Sequence, residues 1–203
     1  MVRLMRALRE ERRWIAAAGL LFLISAVLGY FNARSLDETL RAAGVWERLE
    51  RAVSVIRADP TFLKAFTLIY WNNVKAVLTM MGLGIFLGVF PLMALVSNGT
   101  MLGVVLAKTA QKTGANPLWL LMTTILPHGI LELPAAIVGA AYGMRLGMMA
   151  AWGVWGLVTG GHREVVRHWR RLLERIPIVV VGILLFLLAA AAVESILITI
   201  VAK

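Results

Sequence analysis

The 203 residues carry a formal net charge of +10, yet only 16% are charged and 60% are hydrophobic. Apolar residues at that density, gathered into long blocks, specify an all-α integral membrane protein, a polytopic transmembrane helical bundle. The absence of cysteine excludes disulfides, thiolate catalysis and Cys-ligated metal centres, and no nucleic-acid partner is expected, because basic clusters beside apolar spans set topology and attract anionic lipid headgroups.

In chain order, Arg3, Arg6, Arg9, Arg12 and Arg13 precede a first apolar block over residues 14–31, long enough for one crossing. With no small-x-small site before a soluble domain, this reads as an uncleaved span of the cell membrane with a cytoplasmic N-terminus. Residues 32–72 form an outer amphipathic segment of mixed charge. Leu36, Leu40, Ala43, Trp46, Leu49, Val53 and Ile56 make one stripe on a helix, with Asp37–Arg41 and Glu47–Arg51 as i,i+4 pairs on its flank. Such a helix lies on the membrane or binds a partner, and it should stop near Asp59-Pro60.

Residues 73–107 are expected to make span 2 plus a short helix. One long helix runs from Asn73, kinks at Pro91 and stops at Ser97-Asn98-Gly99, which leaves Lys108 and Lys112 cytoplasmic. Residues 117–144 then hold a third span that is broken. Pro127 and Gly129 end one half-helix near Leu126, and Pro134 suits the first turn of a second half starting near Ile130. Arg145 marks an outer turn, residues 146–161 return as span 4, residues 162–176 form a cytoplasmic amphipathic helix, and residues 177–201 make span 5. That makes about five spans; six spans, or a re-entrant hairpin over 117–144, is the alternative that hydropathy leaves open.

The most informative stretch is Pro127-His128-Gly129-Ile130-Leu131-Glu132-Leu133-Pro134. An ionisable pair at membrane depth is costly, so it faces the bundle interior or a wet cavity. His128 and Glu132 are i,i+4 on a helix, and Glu194 in the last span can join them, with Asn72, Asn73 and Asn98 completing an intramembrane polar core. Three roles compete: a structural hydrogen-bonded knot in which protonated Glu132 caps freed backbone groups, a proton or ion path, and a metal or catalytic site. The last has least support, since the chain lacks H-E-x-x-H, G-x-S-x-G and Walker-type motifs. No catalytic residue, metal or cofactor is expected. Four-residue spacing of Gly84 and Gly88, Gly99 and Gly103, and Gly139, Gly143 and Gly147 prepares close helix approach, either within one bundle or in a homo-oligomer such as a dimer.

Asn72-Asn73 before a glycine-rich span, Pro91, Asn98-Gly99 with Gly103, the P-H-G-I-L-E-L-P run with Ala135, Gly139 and Gly143, and a late Glu194 together resemble the stage II sporulation protein M family over about residues 60–200. The family motif falls on Asn73, Asn98, Gly99, Pro127, His128, Gly129, Glu132 and Pro134. The resemblance implies a non-enzymatic membrane scaffold. In spore formers it implies engulfment together with peptidoglycan-degrading partners, and elsewhere a role beside other membrane or envelope proteins. A small permease moving a proton, ion or solute through the His/Glu/Asn cluster is the alternative.

Overall fold

Lipid offers the backbone no hydrogen bonds, so long apolar blocks must satisfy their amides internally, and here they do so as helices. The computed structural model describes residues 2–58, 61–159 and 162–201; side chains at 48, 49, 52, 53, 56–58, 124–128, 130, 131, 157–159, 162–164 and 201 lie outside the description. The helices are α1 (Val2–Glu10), α2 (Arg12–Phe31), α3 (Ala33–Ala42), α4 (Val45–Ala58), α5 (Phe62–Gly82), α6 (Val89–Thr113), α7 (Pro117–Leu120), α8 (Leu126–Thr159) and α9 (His162–Val201). No strand occurs among the described residues. Four stretches are long and apolar enough to cross a membrane, Arg12–Phe31, Val89–Thr113, Glu132–Gly156 and Val165–Ile200, against the five or six expected.

The close contacts fix how the long helices run. Gly99 lies on Phe22 and Ser25, and Gly103 lies on Ala26 and Tyr30, so α2 and α6 are parallel. Val77 sits on Gly139 and Gly84 on Gly143, so α5 and α8 are parallel as well. Ala7 meets Tyr142 near the start of α2 while Gly19 meets Ile137, so α2 opposes α8. The five long helices therefore alternate in direction along the chain. One end of the bundle gathers Glu11, Arg145 and Arg175; the other gathers Glu132, Lys108 and the α3–α4 segment.

Glycine makes these pairings possible. A Cβ on Gly84 would overlap the backbone of Gly143, one on Gly147 the backbone of Gly88, and one on Gly103 the backbone of Ala26. Between lipid-embedded helices, where van der Waals packing replaces the hydrophobic drive, such approach is the main attraction. The Gly139/Gly143/Gly147 stripe is covered by residues 77–88 of the same chain, and Gly99 and Gly103 are covered by α2.

Several expectations require correction. The single helix expected over 73–96 is two helices, α5 and α6, reversed by a 3₁₀ turn at Leu83–Ile85 with Leu87 (φ 56°) and Gly88 (φ 73°) in left-handed geometry. Gly88 N–H donates to the Gly84 carbonyl at 2.7 Å, so the reversal satisfies its own backbone and needs no polar residue. Pro91 is the third residue of α6 and kinks nothing there, because a helix's first amides have no intrahelical partner. The outer segment is two helices, since Gly44 (φ 65°) closes α3, and α5 starts at Phe62, ahead of the expected position 73. The expected stop at Asp59-Pro60 lies outside the described residues.

No break occurs at Pro127-His128-Gly129. The departure from α geometry lies just before it, as a π turn over Leu121–Ile125, and α8 then runs on through Pro134 to Thr159. Pro127 has no N–H to offer the carbonyl four residues earlier, that of Thr123, which lies inside the widened turn. Residues 146–161 are thus no returning span; the described part, to Thr159, continues α8. The segments expected at 162–176 and 177–201 form one helix, α9, with Pro177 inside. Pro177 is exposed, so the carbonyl it leaves free can reach solvent.

Candidate functional site

Two polar constellations occupy opposite ends of the bundle. At the first, Asn73 and Val77 share one face of α5, and Glu132, Ala136 and Gly139 share one face of α8. The parallel register that seats Val77 on Gly139 also sets Asn73 beside Glu132. The Asn73 amide Nδ2 donates to Glu132 Oε1. Antiparallel α9 carries Glu194 into hydrogen-bonding reach of the Glu132 carboxyl. The adjacent Ser195, fully buried, donates to the Ala191 carbonyl at 2.6 Å.

A cavity of about 520 Å³ opens beside this cluster. Asn72, Asn73, Asn98 and Glu132 supply its polar wall, and Phe22, Met80, Leu95 and Leu187 are among its apolar residues. Of the expected polar core, the structure therefore brings together Asn72, Asn73, Asn98 and Glu132, with Glu194 against Glu132. The side chains of Pro127 and His128 lie outside the described residues. Gly129, Pro134, Gly139 and Gly143 all fall within α8, and Gly99 lies on α6 against α2. No group of three His, Cys, Asp or Glu able to hold a metal is present among the described residues.

The second constellation lies outside the polar core expected from sequence. Glu11, only 6% exposed, meets Arg145 Nε at 3.5 Å and Arg175 Nη1 at 3.2 Å, and Arg175 also pairs with Glu10. The Arg145 guanidinium lies between Trp14 and Trp152, 5.8 and 5.7 Å from their ring centres, close enough for cation–π attraction. Beneath it the Tyr142 hydroxyl donates to the Ala7 carbonyl at 3.2 Å. Arg145 thus stands at the end of the N-terminal basic segment, opposite to the outer turn expected for it. Lys108 is misplaced by the same reasoning: its ammonium meets Asp37 at 2.7 Å and lies 4.5 Å from the Trp46 ring, so it anchors α3 at the other end, and Lys112 lies one turn further along α6. Two signals in the sequence point to the Arg145 centre: Glu10-Glu11 is an acidic pair in a basic segment, and Arg145 is the one charge between Glu132 and His162.

Past Gly147, α8 packs on the first half of α9, with Gly153 on Trp169 and Trp152 edge-on to His168. The resulting helical hairpin leaves Trp152, Val154, Trp155, Val166 and Leu173 exposed.

Comparison with known proteins gives a consistent picture. The model of the stage II sporulation protein M family matches residues 18–197. An uncharacterized protein of Methanocaldococcus jannaschii is 32% identical over 183 residues, 89% of this chain and 79% of that protein. A second uncharacterized protein of the same organism is 32% identical over 81 residues, 40% of this chain and 44% of its own length. No solved structure matches.

Proposed function

The chain belongs to the stage II sporulation protein M family, and from that premise we propose that it is a non-enzymatic scaffold, embedded in the plasma membrane with its N-terminus in the cytoplasm, that holds partner proteins there. The observation that carries this reading is the α8–α9 hairpin, which extends beyond the glycine seam and presents Trp152, Val154 and Trp155 on its surface. Apolar side chains on an arm at the basic end of the bundle suit a membrane or envelope protein bound against the bilayer. In spore-forming relatives the resemblance extends this role to engulfment and peptidoglycan hydrolases.

The cavity beside Glu132 favours a second reading, a small permease for a proton, ion or solute. Its described lining stops at Met80 and Val77, however, and one turn further the helices meet backbone to backbone at Gly84 and Gly143. A solute would have to part that seam.

Proteoliposome proton flux, read with an entrapped pH dye, separates the two. The scaffold reading expects the same background flux from the wild type and Glu132→Gln, with a photocrosslinker at position 155 giving discrete adducts in cells. Flux above empty liposomes that Glu132→Gln abolishes would overturn it.

A further inference from the structure

The Arg145 end holds a cavity of about 400 Å³ between the start of α2, the middle of α8 and the first half of α9. Its acids are already committed, since Glu11 serves Arg145 and Arg175, and Glu10 serves Arg175. Arg13 and Arg171 line the same cavity from facing elements, are exposed, and have no ion pair among the described residues. Four guanidinium groups against two carboxylates leave a net positive cavity. Arg145 Nε, although 3.5 Å from Glu11, has no hydrogen-bond partner among the described residues.

We propose that this cavity is a binding site for a phosphate group, supplied by the headgroup of an anionic phospholipid. A phosphate presents more acceptor oxygens than a carboxylate and can accept from several forked guanidinium groups at once, including Arg13 and Arg171, which neither Glu10 nor Glu11 pairs among the described residues. The position favours a lipid as its source. The cavity lies where α2 begins its apolar run, with Trp14 on its wall and Trp152 across Arg145, the placement of interfacial aromatic residues. Basic pockets between spanning helices at a membrane surface are the usual seat of such headgroups.

The test uses the full chain in neutral detergent, titrated at constant ionic strength with phosphatidylglycerol, phosphatidylcholine or inorganic phosphate. Thermal unfolding and the lipid adducts retained in native mass spectrometry are the readouts. Phosphatidylglycerol should raise Tm and leave a retained adduct, while phosphatidylcholine does neither. Arg13→Gln with Arg171→Gln should weaken the response about tenfold, the loss of charge-assisted hydrogen bonds. Arg3→Gln with Arg6→Gln, which removes equal charge outside this cavity, should change it less than about threefold, as expected of screened surface charge. Arg13→Lys with Arg171→Lys, which keeps the charge and loses the forked donors, should bind at an intermediate level. If inorganic phosphate alone reproduces the shift with the same arginine dependence, the phosphate site stands and its source is free phosphate. Equal weakening by both Gln pairs, or no response to either phosphate source, would overturn the proposal.

Discussion

The two polar ends of the bundle meet the same problem, ionisable groups inside a helical protein of the membrane, by different chemistry. At the Arg145 end the buried acid is paired within the chain, with Glu11 shared between Arg145 and Arg175 and two indole rings beside the guanidinium. At the Glu132 end the neighbours are an amide, Asn73, and a second acid, Glu194. An ion-pair knot is strong only while complete, because removing one partner strands the others in a poorly solvated site. A hydrogen-bonded acid pair keeps most of its contacts when a carboxyl becomes a carboxamide. The first arrangement holds helices in place, and the second tolerates chemical change.

The largest expected effect follows at the paired end. Glu11→Ala leaves Arg145 without a counter-charge and should lower stability by about 3–5 kcal/mol in detergent unfolding; a loss below 1 kcal/mol would show that solvent already reaches Arg145 and would break the comparison. Asn73→Ala should cost about 1–3 kcal/mol by the same measurement, since Glu132 loses its amide donor. Glu132→Gln should cost less than about 1 kcal/mol, because shape and donor capacity persist. A penalty as large as that of Glu11→Ala would place a missing cation at the Glu132 end and erase the contrast.

The smallest effect concerns a third pairing, between Asp37 on α3 and Lys108 near the C-terminal end of α6. The Lys108 ammonium, hydrogen-bonded to Asp37, and then Arg41 hold the Asp37 carboxyl below its usual value. A depressed folded pKa means that the pairing contributes fully above the ordinary aspartate range, near 4, and is lost as pH falls through the lower folded value. Spin-label distances between α3 and α6 should therefore stay constant from neutral pH to about 4 and lengthen only in stronger acid. Asp37→Asn should remove that acid-dependent step.

Much of this was legible in the sequence because a polar residue in apolar surroundings marks itself. Asn73, Glu132 and Glu194 stand out from apolar sequence as one group, and the first span begins within two residues of its expected start. What escaped notice has a common physical origin. Hydropathy reports what can sit in lipid, not which neighbour a helix faces, so the reversal at Leu83–Gly88 is invisible when its own carbonyls satisfy its amides. Proline marks a helix end at Pro127 and helix starts at Pro134 and Pro177 in the sequence, yet a widened π turn precedes the first and the other two lie inside α8 and α9. Arg145 resembles a turn in the sequence because a lone charge looks like an end; its partner Glu11 lies 134 residues away, and periodicity carries no such information.

The seam between residues 84–88 and 143–147 also has a meaning in time. Gly84 and Gly88 face glycines that leave the ribosome about 60 residues later, an interval of seconds at ordinary synthesis rates. Until then the turn that joins α5 to α6 has no surface to close on. The reversal between α5 and α6 therefore completes its packing only once residues 143–147 have been made.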